Sequence, residues 1–105
     1  MGNEASVTIV YAAVEVVEQQ VVLTLDELCR GGGVSAALVQ DLVAYGLLDP
    51  AGERNPETWR FAGASLAITR RAQRLIDDLG INASGAAVVI ELLARIERLE
   101  RRRFE

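Results

Sequence analysis

The stretch Thr24-Leu-Asp-Glu-Leu-Cys-Arg-Gly-Gly-Gly-Val-Ser35 leaves the backbone few options. The Thr24 hydroxyl can accept from the Glu27 amide while the Glu27 carboxylate reaches back to the Thr24 amide, so a helix starts at Leu25. Its apolar positions Leu25, Leu28 and Cys29 recur at steps of three and four, and Gly31-Gly32-Gly33 ends it within two turns. Ser35 then caps a second helix with the buried stripe Leu38, Val39, Leu42 and Val43, and Gly46 supplies a left-handed stop. Two short helices across a tight glycine turn make a helix-turn-helix. A phosphate loop would need Lys-Ser/Thr after the glycines; none follows, and all eleven basic residues of the chain are Arg.

Downstream, Leu47-Leu48-Asp49-Pro50 reads as a strand, Ala51 to Glu57 as a loop and Thr58 to Phe61 as a returning strand, together a wing. A third helix from about Ala64 to Leu79 buries Ile68, Ala72, Leu75, Ile76 and Leu79, with Arg70, Arg71, Arg74, Asp77 and Asp78 opposite and Gly80 at its end. Asn82 caps a fourth helix that runs to about Arg103, supported by the pairs Glu91–Arg95 and Glu97–Arg101. Upstream, the β-branched run Ser6 to Val14 reads as a strand, and Val21-Val22-Leu23 as a second one able to pair with it. The expected fold is mainly α with a small β-sheet. It divides into a β-rich extension at 1–20, a winged helix-turn-helix at 21–62, and a third helix plus a C-terminal dimerisation helix at 63–105. At 105 residues these form one compact domain.

Several function classes fall to composition. The chain has no His and one Cys, which removes the commonest general base, any internal disulfide and any multi-thiolate metal site. The neighbouring carboxylates Asp26 with Glu27 and Asp77 with Asp78 sit on helical stretches that read as solvated surface. No enzyme, cofactor or metal site is therefore expected, and Cys29 reads as a core residue. No apolar run approaches the roughly 18 residues that span a bilayer, and the N-terminus lacks the basic start and apolar stretch of a signal peptide, which points to the cytoplasm.

Charge separates a DNA reader from a protein binder. The exposed positions of the second helix are Ala36, Ala37, Gln40, Asp41 and Ala44, none able to neutralise a phosphate. The wing sets Asp49, Glu53 and Glu57 against Arg54 and Arg60, so residues 35–60 carry a net charge of −2 (two Arg against Asp41, Asp49, Glu53 and Glu57). A small neutral helix beside an acidic wing suits another protein's basic helix, with Asp41, Glu53 and Glu57 facing it and Gln40, Ala44 and Trp59 at the centre. Trp59 and Phe61 share one face of their strand as core anchors; a partly exposed Trp59 would instead serve as a hot spot.

In the fourth helix Val89, Leu92, Ile96 and Leu99 fall at alternating steps of three and four, and Ile90 and Leu93 widen the stripe. The expected outcome is a homodimer through this helix, the alternative being that it folds back on its own domain. Arg101-Arg102-Arg103 complements the negative end of the helix dipole.

The order helix-turn-helix, wing, two further helices resembles the MerR-type winged helix, through Leu23-Thr-Leu-Asp-Glu-Leu-Cys29 and Gly46-Leu-Leu-Asp-Pro50. Within that superfamily the chain is similar to the CbpM-type chaperone modulators, through Leu75-Ile-Asp-Asp-Leu-Gly-Ile-Asn82, Gly85-Ala-Ala-Val-Val-Ile-Glu-Leu-Leu93 and Ile96-Glu-Arg-Leu99. The resemblance covers residues from about 22 to 103, and the first twenty depart from the family pattern. It implies a small dimeric protein that binds the J-domain of a DnaJ/CbpA-like co-chaperone, prevents it from stimulating a DnaK-type chaperone, and catalyses nothing. The competing implication is a MerR-like DNA-binding transcriptional regulator. In such relatives the second helix presents basic and aromatic side chains to the major groove, and an Arg near the position of Arg60 contacts phosphate. A metal- or drug-sensing regulator would need thiolates or a ligand cavity that the sequence does not suggest.

Overall fold

Thr24 and Glu27 cap the first helix reciprocally: Thr24 Oγ1 accepts from the Glu27 amide at 3.1 Å, and the Thr24 amide donates to Glu27 Oε1 at 2.9 Å. These bonds come from a computed structural model that describes residues 21–103. The elements are β1 (Val22–Leu23), α1 (Leu25–Gly32), α2 (Ala36–Ala44), a 3-10 turn (Pro56–Thr58), β2 (Phe61–Ala62), α3 (Ala64–Leu79) and α4 (Ala83–Arg103). Among the described residues the architecture is mainly helical with one small antiparallel sheet, as expected. The strand expected over Ser6 to Val14, and its pairing, lie outside the described residues.

Of the three glycines only Gly33, with φ of 66°, makes the left-handed stop. Gly31 and Gly32 are inside α1, where their bare backbone admits α3: a Cβ on Gly31 would stand 3.1 Å from Leu66 Cδ1. The run thus ends one helix and seats another against it. Ser35 caps α2 through a bond from the Leu38 amide at 3.1 Å, and Asn82 caps α4 through a bond from the Gly85 amide at 2.9 Å.

The wing differs from the expected hairpin. Leu47 and Leu48 turn their amides back to the Leu42 carbonyl, at 2.9 and 3.3 Å, which closes the end of α2 and leaves those donors unavailable to a strand partner. The returning segment pairs with β1 instead, in the register Val22↔Ala62 and Leu23↔Phe61. A single bridge, Ala51↔Arg60, joins the two arms of the wing.

Leu28, Val39, Leu42, Leu48, Phe61, Ala72, Ala86 and Ile90 are buried together, so the core draws on the helix-turn-helix, the wing and both later helices. On α3, Ile68, Leu75 and Ile76 are half-buried against this cluster, whereas Leu79, at the last turn, is exposed. The fully buried positions between them are Ala72 and Thr69, and the Thr69 hydroxyl donates to the Ser65 carbonyl at 2.7 Å and so enters the core satisfied. Val43, expected in the buried stripe of α2, is half-buried at the margin of the core. Cys29 is likewise half-buried, and burial, reinforced by the Asp26 charge, pushes its thiol pKa up. Among the described residues no single helix is long and apolar enough to cross a membrane.

Two outcomes follow for stability. Phe61→Ala should cost about 3 to 5 kcal/mol, read as a lowered urea midpoint. The bonds from the backbone and side chain of Thr24 hold the Glu27 carboxyl below its ordinary pKa of 4.5. A depressed carboxylate stabilises the fold above that ordinary value and loses its effect as pH falls through the folded-state value. Glu27→Gln should therefore lower the melting temperature at neutral pH and flatten its dependence on pH below about 4.5; an unchanged acid limb would contradict the cap's role.

Candidate functional site

Residues Ala36, Ala37, Gln40, Asp41 and Ala44 are all exposed along one face of α2, as their spacing predicted. Beside this face the wing is held by its own polar groups. Asn55 caps the 3-10 turn, with its Oδ1 accepting from the Glu57 amide at 3.1 Å. The Thr58 hydroxyl donates to the Asn55 carbonyl at 2.7 Å and accepts from the Glu53 amide at 2.9 Å. Gly52, with φ of 126°, sits where a Cβ would come within 2.6 Å of the Thr58 carbonyl oxygen, so only glycine lets the loop fold this tightly.

Trp59 completes the loop. Its Nε1–H donates to the Glu53 carbonyl at 2.9 Å, and its ring meets Phe61 edge to face at 5.9 Å between centroids. The indole is half-buried, which joins the two roles open to it: an anchor on Phe61 and a partly accessible surface. Arg60 is turned onto the loop, its Nη1 donating to the Trp59 carbonyl at 2.8 Å and the Glu57 carbonyl at 3.3 Å.

Between α2 and the wing lies an open cleft of about 650 Å³. From α2 it is lined by Gln40, Val43 and Ala44, and from the wing by Asp49, Pro50, Gly52, Glu53, Arg54, Pro56 and Trp59. Of the residues picked from the sequence, Gln40, Ala44, Glu53 and Trp59 meet here. Asp41 and Glu57 are exposed but lie outside the lining. Val43, Asp49, Pro50, Arg54 and Pro56 join the cleft unforeseen; the pair of prolines bracketing the loop was the available signal. Among the described residues no group of three or more His, Cys, Asp or Glu is placed to hold a metal ion.

The apolar stripe of α4 divides between two faces. Ile90 is buried in the protein's own core with Ala86 and Ala87, which removes it from any free surface, and Val89 and Leu93 are half-buried. Leu92, Ile96 and Leu99 are between 48% and 57% exposed, and Val88, which the heptad reading missed, lies in the same range. The steps 88, 92, 96, 99 trace one continuous line along a helix.

The profile described as MerR HTH family regulatory protein matches residues 23–103. A chaperone modulatory protein, CbpM, of Pseudomonas putida (strain GB-1) is 35% identical over 77 residues, 73% of this chain and 75% of the relative. Its namesake in Coxiella burnetii (strain Dugway 5J108-111) is 31% identical over 87 residues, 83% of this chain and 81% of the relative. These relatives are named as regulatory or modulatory proteins.

The wing's self-bonding is open to a direct check. Gly52→Ala should destabilise the loop by about 1 to 3 kcal/mol, the usual scale of a strained backbone position. Trp59 is the sole tryptophan, so its emission should shift to the red as the loop opens. An unshifted spectrum would mean the loop is held by other contacts.

Proposed function

This chain belongs to the CbpM family of chaperone modulatory proteins, within the MerR helix-turn-helix class, and from that premise we propose a specific action for it. It binds the J-domain of a DnaJ-like co-chaperone in the cytoplasm and prevents that co-chaperone from stimulating a DnaK-type chaperone. The observation that carries this reading is the composition of the exposed face of α2. Its alanines allow close approach, it holds no positive charge, and it borders an acidic wing. A basic helix fits such a surface, with Gln40, Ala44 and Trp59 at the centre and Asp41, Glu53 and Glu57 steering its approach.

Residues 21–62 then form the docking half and residues 63–105 the dimerising half. The dimer forms through Val88, Leu92, Ile96 and Leu99, whose exposure favours a second copy on this face. Ile90, assigned to that interface from the sequence, supports it from the core side.

The match to MerR-type regulators favours one other reading, binding to DNA through α2. The helix chemistry opposes it. No Arg is available on the exposed face of α2, Asp41 repels phosphate, and Arg60 is engaged by two backbone carbonyls of the wing.

Asp41→Arg with Glu57→Arg should weaken J-domain binding by about tenfold or more and restore stimulation of the chaperone ATPase, while Asp78→Arg on α3 should leave both unchanged. Calorimetric titration and ATPase assays read the two effects, and equal sensitivity at Asp78 would move the site to α3. Leu92→Asp with Ile96→Asp should give monomers in light scattering, since burying each such side chain is worth about 1.5 to 3 kcal/mol. A gel shift showing a sequence-specific complex tighter than about 10⁻⁸ M at moderate salt would restore the DNA reading.

A further inference from the structure

We propose that the cleft between α2 and the wing is a receptor for one long cationic side chain, Arg or Lys, presented by the partner's docking helix. This rests on the co-chaperone reading only for the identity of the protein that presents the side chain; the chemistry is the cleft's own.

Three features of the lining converge. First, Trp59 is set before any partner arrives. Its N–H is held by the Glu53 carbonyl and its ring by a T-shaped contact with Phe61, so an aromatic side chain stands in the cleft lining at little further entropic cost. Second, Val43, Pro50 and Pro56 supply apolar surface against which an alkyl stem can lie while its charged end stays near the rim. Third, two acidic residues, Asp49 and Glu53, belong to the same lining, and the Glu53 backbone is fixed on both sides, by Thr58 at its amide and Trp59 at its carbonyl.

Neither carboxylate has a counter-ion. Among the described residues the one ion pair is Arg30–Asp26, on α1, and Arg54, although it also lines the cleft, pairs with neither acid. Two carboxylates against one guanidinium leave the lining net negative. A purely apolar occupant would strip water from these acids without replacing it, and an anion would be repelled. The cleft is also open, which suits a side chain delivered on another protein's helix better than an enclosed small molecule.

The test uses two probes on the full chain. One is an alanine-based helical peptide with a single central Arg, compared with the same peptide carrying citrulline, which keeps the shape and removes the charge. The other is the isolated J-domain of a DnaJ-type co-chaperone. Trp59 emission and calorimetry read both. The Arg peptide should bind about tenfold more tightly than the citrulline peptide, and Asp49→Asn with Glu53→Gln should erase that preference. Arg54→Ala should raise the Arg peptide's affinity, because it removes the like charge. Circular dichroism of each variant separates these effects from loss of fold. Equal binding of the two peptides, or indifference to the paired acid substitutions, overturns the proposal. If the J-domain binds and is indifferent to Asp49→Asn with Glu53→Gln, the cation receptor is refuted while the co-chaperone reading stands. If the J-domain fails to bind but the Arg peptide shows the stated sensitivities, the co-chaperone reading falls and the receptor stands.

Discussion

Phe61 is where the sheet, the wing and the helical core meet. Its backbone faces Leu23 across the sheet, the residue is 1% exposed within the core, and its ring makes a T-shaped contact with Trp59. Burial of that ring fixes the direction in which the chain leaves the wing and enters α3 three residues later. The cleft depends on the same contact, since Trp59 is held between Phe61 and the Glu53 carbonyl, and through Glu53 it orders the loop that carries the acidic rim. One buried aromatic thus transmits the rigidity of the helices to a surface loop that has a single bridge between its arms.

The helix-turn-helix scaffold is retained while the surface chemistry that would read DNA is lacking. A reading helix needs positive charge for phosphates and long polar side chains for base edges, and the exposed face of α2 offers alanines, a glutamine and an aspartate. Arg60, whose place in the wing would suit a phosphate contact, commits its guanidinium to carbonyls within the wing. Fold therefore sets the shape of the α2 face, and side-chain chemistry on that face sets what it can hold.

The last helix has to satisfy two demands at once. Ala86, Ala87 and Ile90 are buried on a helix that packs against α3 and α2. Val88, Leu92, Ile96 and Leu99 run along another side of the same helix, beyond reach of the core. Read as one heptad stripe, the two sets merge, because a mixed apolar run fits a 3.5-residue repeat and a 3.6-residue face about equally over so few turns. Knowing which side α3 covers is what separates Ile90 from Leu92.

What the sequence determined by itself was local. The caps at Thr24, Ser35 and Asn82, the stop after Leu79 and the exposure of the α2 face all follow from groups within a turn or two of each other, where spacing alone decides who can bond to whom. The tertiary structure decided every matter that involved competition between distant segments. The amides of Leu47 and Leu48 closed α2 rather than pairing as a strand, Phe61 took Leu23 as its partner, and Gly31 served helix contact as well as chain reversal. The cleft is of this second kind: Asp49, Pro50 and Pro56 became part of it only because the wing folds over α2, and Asp41 and Glu57, equally acidic in the sequence, were left outside its lining. A backbone donor or an apolar face takes the best partner the whole chain can bring to it, and that choice is made by packing among residues far apart in sequence.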